Sequence, residues 1–146
     1  NFRYVTPADL SAGMPDFASI DVSFISLKLI LPVLKTLLVP GSDTVALVKP
    51  QFEAGREQVG KKGIVRDPKV HEAVLDKIIG FALSLGYDVK DVSYSPITGG
   101  DGNIEFLLHL YWSGSREEGE NLLKAQTDEV VKEAHAELKT KVKEEE

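Results

Sequence analysis

The order of apolar and polar positions along the chain predicts alternating strands and helices. Short apolar runs predict buried strands, and a more polar run predicts one further strand, over residues 17–23, 44–49, 103–112 and 87–96. Apolar residues at helical spacing predict helices over residues 26–38, 67–86 and 115–146, and a Thr-Pro start predicts a short helix over residues 6–12. The longest predicted connection is the polar loop 51–66.

This succession of strands and helices is typical of an α/β fold. The last two predicted strands have no helix between them, and a short loop joins neighbouring strands most simply as an antiparallel hairpin. We therefore expect a mostly parallel sheet with one antiparallel strand.

Composition narrows the possible classes of protein. The chain has 146 residues, which suits one domain with one core, and its formal net charge is −6. That charge disfavours non-specific binding to nucleic acid or to an anionic membrane by this chain alone. The lack of cysteine excludes disulfides and thiolate chemistry and fits a reducing, cytoplasmic setting. The longest apolar stretch, residues 24–34, is too short to span a bilayer.

A lysine stands at the end of the second predicted strand. Lys49 follows an apolar run and precedes Pro50, which cannot donate a hydrogen bond to a neighbouring strand. Open α/β sheets bind their ligands at the carboxyl ends of their strands. Asp21 and Glu105 lie near the ends of two other apolar runs, so we expect the three side chains to meet at one edge of the sheet. From spacing alone, an ordinary ion-pair cluster is the favoured interpretation.

Four longer motifs are together more specific than that spacing. They are DVSFISL from residue 21, KPQFEAGRE from residue 49, GIVRDP from residue 63 and SPITGGDGNIEF from residue 95. With these motifs in this order, the chain from Asn1 to about Trp112 resembles the TlyA (hemolysin-A-type) family, which belongs with the FtsJ-like RNA 2′-O-methyltransferases.

The resemblance implies a function and a fold. Members of the family transfer a methyl group from S-adenosyl-L-methionine to a ribose 2′-hydroxyl of ribosomal RNA. Their domain is a Rossmann-like sheet with helices on both faces. Matching the motifs places three members of the family's Lys-Asp-Lys-Glu tetrad at Asp21, Lys49 and Glu105.

The same match predicts which part of the enzyme this chain is. The first lysine of the tetrad, the glycine-rich cofactor loop and an RNA-binding domain would precede Asn1. We expect residues 1–114 to be the carboxyl-terminal part of the methyltransferase domain and residues 115–146 to be a charged helix. Such a piece would be inactive alone.

The chemistry of methyl transfer gives these residues roles. The two substrates must be held in line, and the hydroxyl must lose its proton. An uncharged Lys49 could accept that proton and a charged Lys49 could stabilise an alkoxide, and the sequence leaves both roles open. Asp21 and Glu105 would orient the lysines, while Asp21, Val22 and Ser23 would border the cofactor.

Two loops have competing interpretations. The polar loop 51–66 could be a plain connection or, with equal weight, an RNA-facing lid that contacts phosphates. Its basic residues are Arg56, Lys61, Lys62 and Arg66. The glycine-rich loop 99–102 precedes a strand rather than a helix, so we expect it to position Glu105 rather than to bind phosphate. Spacing of His71, His109 and His135 is not typical of a metal site, and we expect no metal.

Two other functions stay open. The family's older name suggests a membrane-acting hemolysin, although the carboxyl-terminal helix is acidic rather than basic. A non-catalytic RNA- or protein-binding module would use that helix to dock a partner. The loss of half a sheet would also expose the strand that ends at Asp21, and an exposed edge predicts a homo-dimer.

Overall fold

The computed structural model describes residues 16–22, 25–60, 63–98 and 102–145, with side chains described up to residue 138. In chain order the elements are β1 (Phe17–Ile20), α1 (Leu27–Leu37), β2 (Ser42–Val48), α2 (Pro50–Glu53), a 3₁₀ turn (Arg56–Gln58), α3 (Pro68–Ser84), β3 (Asp88–Tyr94), β4 (Phe106–Trp112) and α4 (Thr127–Glu145). The helix predicted over residues 6–12 lies outside the described residues.

The strands form one sheet in the order β1-β2-β4-β3. β1 pairs with β2 in parallel, whereas β4 is antiparallel to both of its neighbours. Three strands therefore share one direction and β4 runs against them. This confirms the expectation of an α/β fold with a mostly parallel sheet and one antiparallel strand.

The helices α1, α3 and α4 pack on one face of the sheet. Their buried residues form a single core with Val48, Phe106 and the other inward residues of the strands. Along β2 the inward residues are buried and the residues between them are only half-buried, and Phe17 on β1 is 55% exposed. The described helices α1, α3 and α4 therefore lie against the buried face of the strands.

The shared face has a topological reason. The connection from β1 to β2 and the connection from β2 to β3 both move in the same direction across the sheet. Crossovers between parallel strands are right-handed, and two right-handed crossovers that advance in the same direction place their helices on the same side.

Local sequence signals set the helix ends as predicted. The Ser26 hydroxyl accepts a hydrogen bond from Lys28 N at 3.1 Å and caps α1. The Asp67 carboxylate accepts from Lys69 N at 2.9 Å and caps α3, whose first residue is Pro68. Gly86 follows α3 with a φ of 97°, a conformation that favours glycine.

The carboxyl-terminal helix begins at Thr127 rather than at Ser115, so that predicted boundary is wrong. The preceding segment runs along the free edge of β3 instead, with Val89 N donating to Glu120 O at 2.9 Å and Leu122 N donating to Val89 O at 2.8 Å. Gly119 permits this close approach, because a Cβ there would lie 1.5 Å from Tyr87 O. Backbone pairing with a distant strand therefore overrides the helical propensity of this segment.

Candidate functional site at the carboxyl edge of the sheet

Asp21 and Lys49 meet at the edge of the sheet where β1 and β2 end. The two strands are parallel and in register, with Ile20 beside Ala46, so the residues that follow them leave the sheet on the same side. Lys49 Nζ lies 2.5 Å from Asp21 Oδ1. The lysine side chain is 12% exposed and the aspartate side chain is 67% exposed, so the ion pair presents its carboxylate to solvent.

Glu105 lies at the same edge because β4 runs in the opposite direction. Val48 pairs with Phe106, and the next residues outward along the two strands are Lys49 and Glu105. Glu105 is 7% exposed, and its Oε2 accepts a hydrogen bond from Gln51 Nε2 at 3.0 Å. The three residues that the sequence selected are thus brought to one edge, and we call Asp21, Lys49 and Glu105 the rim.

The start of the predicted polar loop 51–66 is helical, which corrects that prediction. α2 follows Lys49 directly, with Pro50 at its first position. Glu53 at its end is 7% exposed and accepts hydrogen bonds from Ser26 Oγ at 2.6 Å and Leu27 N at 2.8 Å. Burial raises the pKa of Glu53, and these two hydrogen bonds oppose the rise.

Sequence reasoning missed the roles of Gln51 and Glu53. Both lie inside the motif that carries Lys49, two and four residues beyond it. Their positions in that motif were the available signal. Their partners are distant along the chain, however, so the sequence could not show what they contact.

Asn103 joins the strand that follows it to the loop before α3. Its Oδ1 accepts a hydrogen bond from Val65 N at 3.0 Å, and its Nδ2 donates to Gly63 O at 2.9 Å. It is 2% exposed and lies two residues before Glu105. The loop that carries Arg66 is therefore fastened to the segment that carries Glu105.

The remaining predicted site residues divide into two groups. Arg56 and Arg66 are exposed, and Val22 packs against the edge of the core. Ser23, Lys61, Lys62 and residues 99–101 lie outside the described residues.

The histidines take part in packing and hydrogen bonds. His71 Nε2 contacts Val65 O at 3.0 Å and must therefore donate, so His71 Nδ1 accepts from His135 Nε2 at 2.8 Å. Burial, followed by the charge of His135, lowers the pKa of His71 to about 4. His109 contacts Asp43 at 2.8 Å. Within the described ranges, three or more metal-ligating side chains do not converge anywhere.

Comparison with known proteins decides the family. The sequence profile of FtsJ-like methyltransferases matches residues 1–112. The chain belongs to the FtsJ-like methyltransferase family. It is 69% identical over 141 residues to a protein of Bacillus subtilis (strain 168) named as a candidate rRNA methyltransferase, YqxC, a match that covers 97% of this chain and 50% of that protein.

Two further similarities agree with this family. The chain is 40% identical over 110 residues to the 16S/23S rRNA (cytidine-2′-O)-methyltransferase TlyA of Mycobacterium tuberculosis, covering 75% of this chain and 41% of TlyA. A solved structure described as a candidate hemolysin from Streptococcus thermophilus has a TM-score of 0.91 and 54% identity, covering 100% of this chain and 51% of that chain. The resemblance to the TlyA family is confirmed, and the chain spans about half or less of these relatives.

None of the helices in the described ranges combines the length and the apolar character that crossing a membrane requires.

Proposed function

We propose that this chain carries the catalytic rim of an S-adenosylmethionine-dependent rRNA ribose 2′-O-methyltransferase. The reaction would belong to the intact protein, of which this chain would be the carboxyl-terminal part, inactive alone. Membership in the FtsJ-like family supports methyl transfer, and the name of the TlyA relative supports rRNA as the class of substrate. The observation that carries the proposal is the Asp21–Lys49 ion pair, which lies opposite Glu105 at the carboxyl edge of the sheet.

The rim suits a cationic cofactor. S-adenosylmethionine supplies a methyl group bound to a positively charged sulfur. The Asp21 carboxylate, with its side chain 67% exposed, is an anionic group that can face such a charge. Val22 adjoins it at the edge of the core, so these residues could border the cofactor, as would Ser23 outside the described ranges.

Lys49 is assigned to stabilisation of negative charge. A lysine held in an ion pair offers a positive charge to a nearby oxygen, rather than a free electron pair. A fixed charge that faces a developing oxyanion lowers the barrier without reorganising during the reaction. Of the two roles that the sequence left open, the contact with Asp21 favours this one. The hydroxyl proton would then pass to solvent, and the cofactor sulfur would keep the electron pair of its broken bond to the methyl group. Glu105, held by Gln51, would orient the ribose side of the rim.

The RNA would contact the loop between α2 and α3. Arg56 and Arg66 are exposed there, and guanidinium groups bind phosphates through paired hydrogen bonds. Lys61 and Lys62 belong to the same proposed set. Ribosomal RNA as the partner implies a cytoplasmic location.

The decisive experiment substitutes Lys49 in the intact protein. Lys49→Ala should lower kcat for transfer of a labelled methyl group to rRNA by about 10³-fold, because the rim loses its positive charge. Lys132→Ala, which removes an exposed lysine on α4, is the matched control and should keep wild-type turnover. Activity of Lys49→Ala within tenfold of wild type would remove Lys49 from the mechanism.

The position of the methyl group tests the reaction itself. Nuclease digestion and mass spectrometry of the product should find the label on a ribose 2′-oxygen. A label found on a base would reject the proposed specificity.

Calorimetry of this chain with S-adenosylmethionine should show very weak or no binding, and submicromolar affinity would contradict the view that the main cofactor loop lies elsewhere.

The position of β1 supports a proposal about assembly. Among the described residues, β1 is a four-residue strand at the end of the sheet, and such an edge can pair with another chain. We expect the isolated chain to form a homo-dimer through this edge. Sedimentation of the purified chain measures this, and a monomer at all concentrations would contradict it.

A further inference from the structure

We propose that α2 aligns the rim, with Glu53 and Gln51 as positioning residues for Asp21 and Glu105 respectively. The catalytic part of this inference rests on the proposed function, whereas its structural part does not. α2 begins directly after Lys49, so one short helix connects all three members of the rim.

Glu53 fastens the segment that follows Asp21. Its two carboxylate oxygens accept from Ser26 Oγ at 2.6 Å and from Leu27 N at 2.8 Å. These donors lie at the start of α1, five and six residues beyond Asp21. Charge-assisted hydrogen bonds of this length and burial hold a segment more firmly than neutral ones do.

Ile20, just before Asp21, and Ser26, at the start of α1, are therefore both held by the same stretch of chain. At one end Ile20 pairs with Ala46 of β2, and at the other end Ser26 and Leu27 bind Glu53 of α2. Lys49 lies between those two anchors in the sequence. The position of Asp21 relative to Lys49 thus depends on the bonds of Glu53.

Gln51 performs the same task for the third member of the rim. A carboxylate only accepts hydrogen bonds, so Gln51 Nε2 must face Glu105, to which it donates at 3.0 Å. Among the described residues, Gln51 Oε1 is buried and has no hydrogen-bond donor. An unpaired buried acceptor is unfavourable for the fold, so stability alone does not explain this glutamine.

α2 itself is held on the body of the protein. Pro50 is buried, Ala54 N donates to Pro50 O at 2.9 Å, and Lys77 Nζ of α3 donates to Glu53 O at 3.4 Å.

A residue that only capped α1 would affect stability alone. A positioning residue also affects turnover, and a substitution that keeps its hydrogen bonds should restore that turnover.

The test compares Glu53→Ala with Glu53→Gln in the intact protein. Glu53→Ala should lower kcat by about 10²-fold, since a displacement of about 1 Å at a reaction centre has that effect. Its KM for rRNA and its Kd for S-adenosylmethionine should change much less. Glu53→Gln should keep near wild-type kcat, because its oxygen accepts from Leu27 N and its amide donates to Ser26 Oγ. Equal losses of kcat in the two variants would overturn the proposal.

Three controls separate alignment from stability. Glu118→Ala removes an exposed glutamate of the segment beside β3 and should leave kcat unchanged. Val130→Ala truncates a buried residue of α4 and should lower the melting temperature without lowering kcat. A loss of kcat in Val130→Ala equal to that in Glu53→Ala would assign the effect to stability.

The third control is a double-mutant cycle. Ser26→Ala should cause a smaller loss than Glu53→Ala, and the double variant should match Glu53→Ala, because both substitutions remove the same hydrogen bond. Additive losses would contradict a shared action on Asp21. Gln51→Ala should also lower kcat, by less than Glu53→Ala does.

A structural measurement keeps the inference independent of the reaction. In crystal structures of the variants, the Asp21–Lys49 pair should separate beyond the ion-pair limit of about 4 Å in Glu53→Ala and persist in Glu53→Gln. An intact pair in Glu53→Ala would refute the positioning role. If wild-type protein transfers no methyl group to rRNA, the proposed function fails, and this distance alone then decides the role of Glu53.

Discussion

Two buried carboxylates at opposite ends of the sheet serve different purposes. Glu53 lies beside the rim, whereas Asp88 begins β3 at the other end; they are 7% and 4% exposed. Asp88 accepts from Glu120 N at 2.8 Å and from the charged Arg116 guanidinium at 3.0 Å. The direct hydrogen bonds of Glu53 come from a hydroxyl and a backbone N–H.

The two carboxylates differ in role: Asp88 holds a segment of the fold in place, whereas Glu53 positions residues of the rim. Asp88 pairs with a full positive charge and holds the segment beside β3 in place, so its role is structural. Glu53 keeps a carboxylate where burial raises its pKa, next to the ion pair of the rim. The stability of the end of the sheet that carries the rim should therefore depend on pH, whereas the opposite end should respond to loss of a salt bridge.

The largest expected effect concerns His71, which lies under the rim against Phe106, with ring centroids 5.6 Å apart. Its pKa falls from 6.5 to about 4 on folding, so the unfolded chain binds the proton first. The stability it contributes is complete above pH 6.5 and should decline by about 3 kcal/mol as pH falls to 4. Urea unfolding across this pH range measures the decline.

Two variants identify the cause of that decline. His71→Leu should flatten the pH dependence. His135→Gln should keep most of it, because burial lowers the pKa of His71 more than the charge of His135 does. A flat profile in His135→Gln would show that the histidine charge, rather than burial, dominates.

The next effect is at the opposite end of the sheet. Asp88→Ala leaves Glu120 N and the Arg116 guanidinium without their acceptor and should lower the free energy of unfolding by about 2 kcal/mol. Glu120→Ala removes only the exposed partner of Arg116 and should cost less than about 1 kcal/mol. Equal losses in the two variants, measured by urea unfolding, would show that the burial of Asp88 does not matter.

The smallest predicted change in stability concerns Glu53, and its dependence on pH runs in the opposite direction from that of His71. Since burial raises the folded pKa of Glu53 above 4.5, its contribution to stability is present below pH 4.5 and is lost as pH rises through the folded pKa. Glu53→Gln should therefore gain stability relative to wild type between pH 4 and pH 7, by less than Asp88→Ala loses. A gain that is the same at both pH values would contradict the sign of this shift.

Local signals made much of the fold predictable. Ser26 and Asp67 mark helix starts through bonds to residues two positions away, and Pro50 ends β2 through its missing N–H; such features need no distant partner. The helix predicted from Ser115 failed for the complementary reason. Glu120 and Leu122 pair with Val89, and that contact with another part of the chain cannot be read from helical propensity.

The rim shows the same contrast between local signals and contacts with distant parts of the chain. The sequence by itself determined which side chains reach the carboxyl edge, because Asp21 and Lys49 end strands and Glu105 precedes one, and its motifs determined the family. Only the tertiary structure decided that Lys49 contacts Asp21. It also decided that Gln51 binds Glu105, that Glu53 binds the start of α1, and that the described helices share one face. Strand ends are properties of neighbouring residues, whereas ion pairs and crossovers depend on how distant segments are brought together in space.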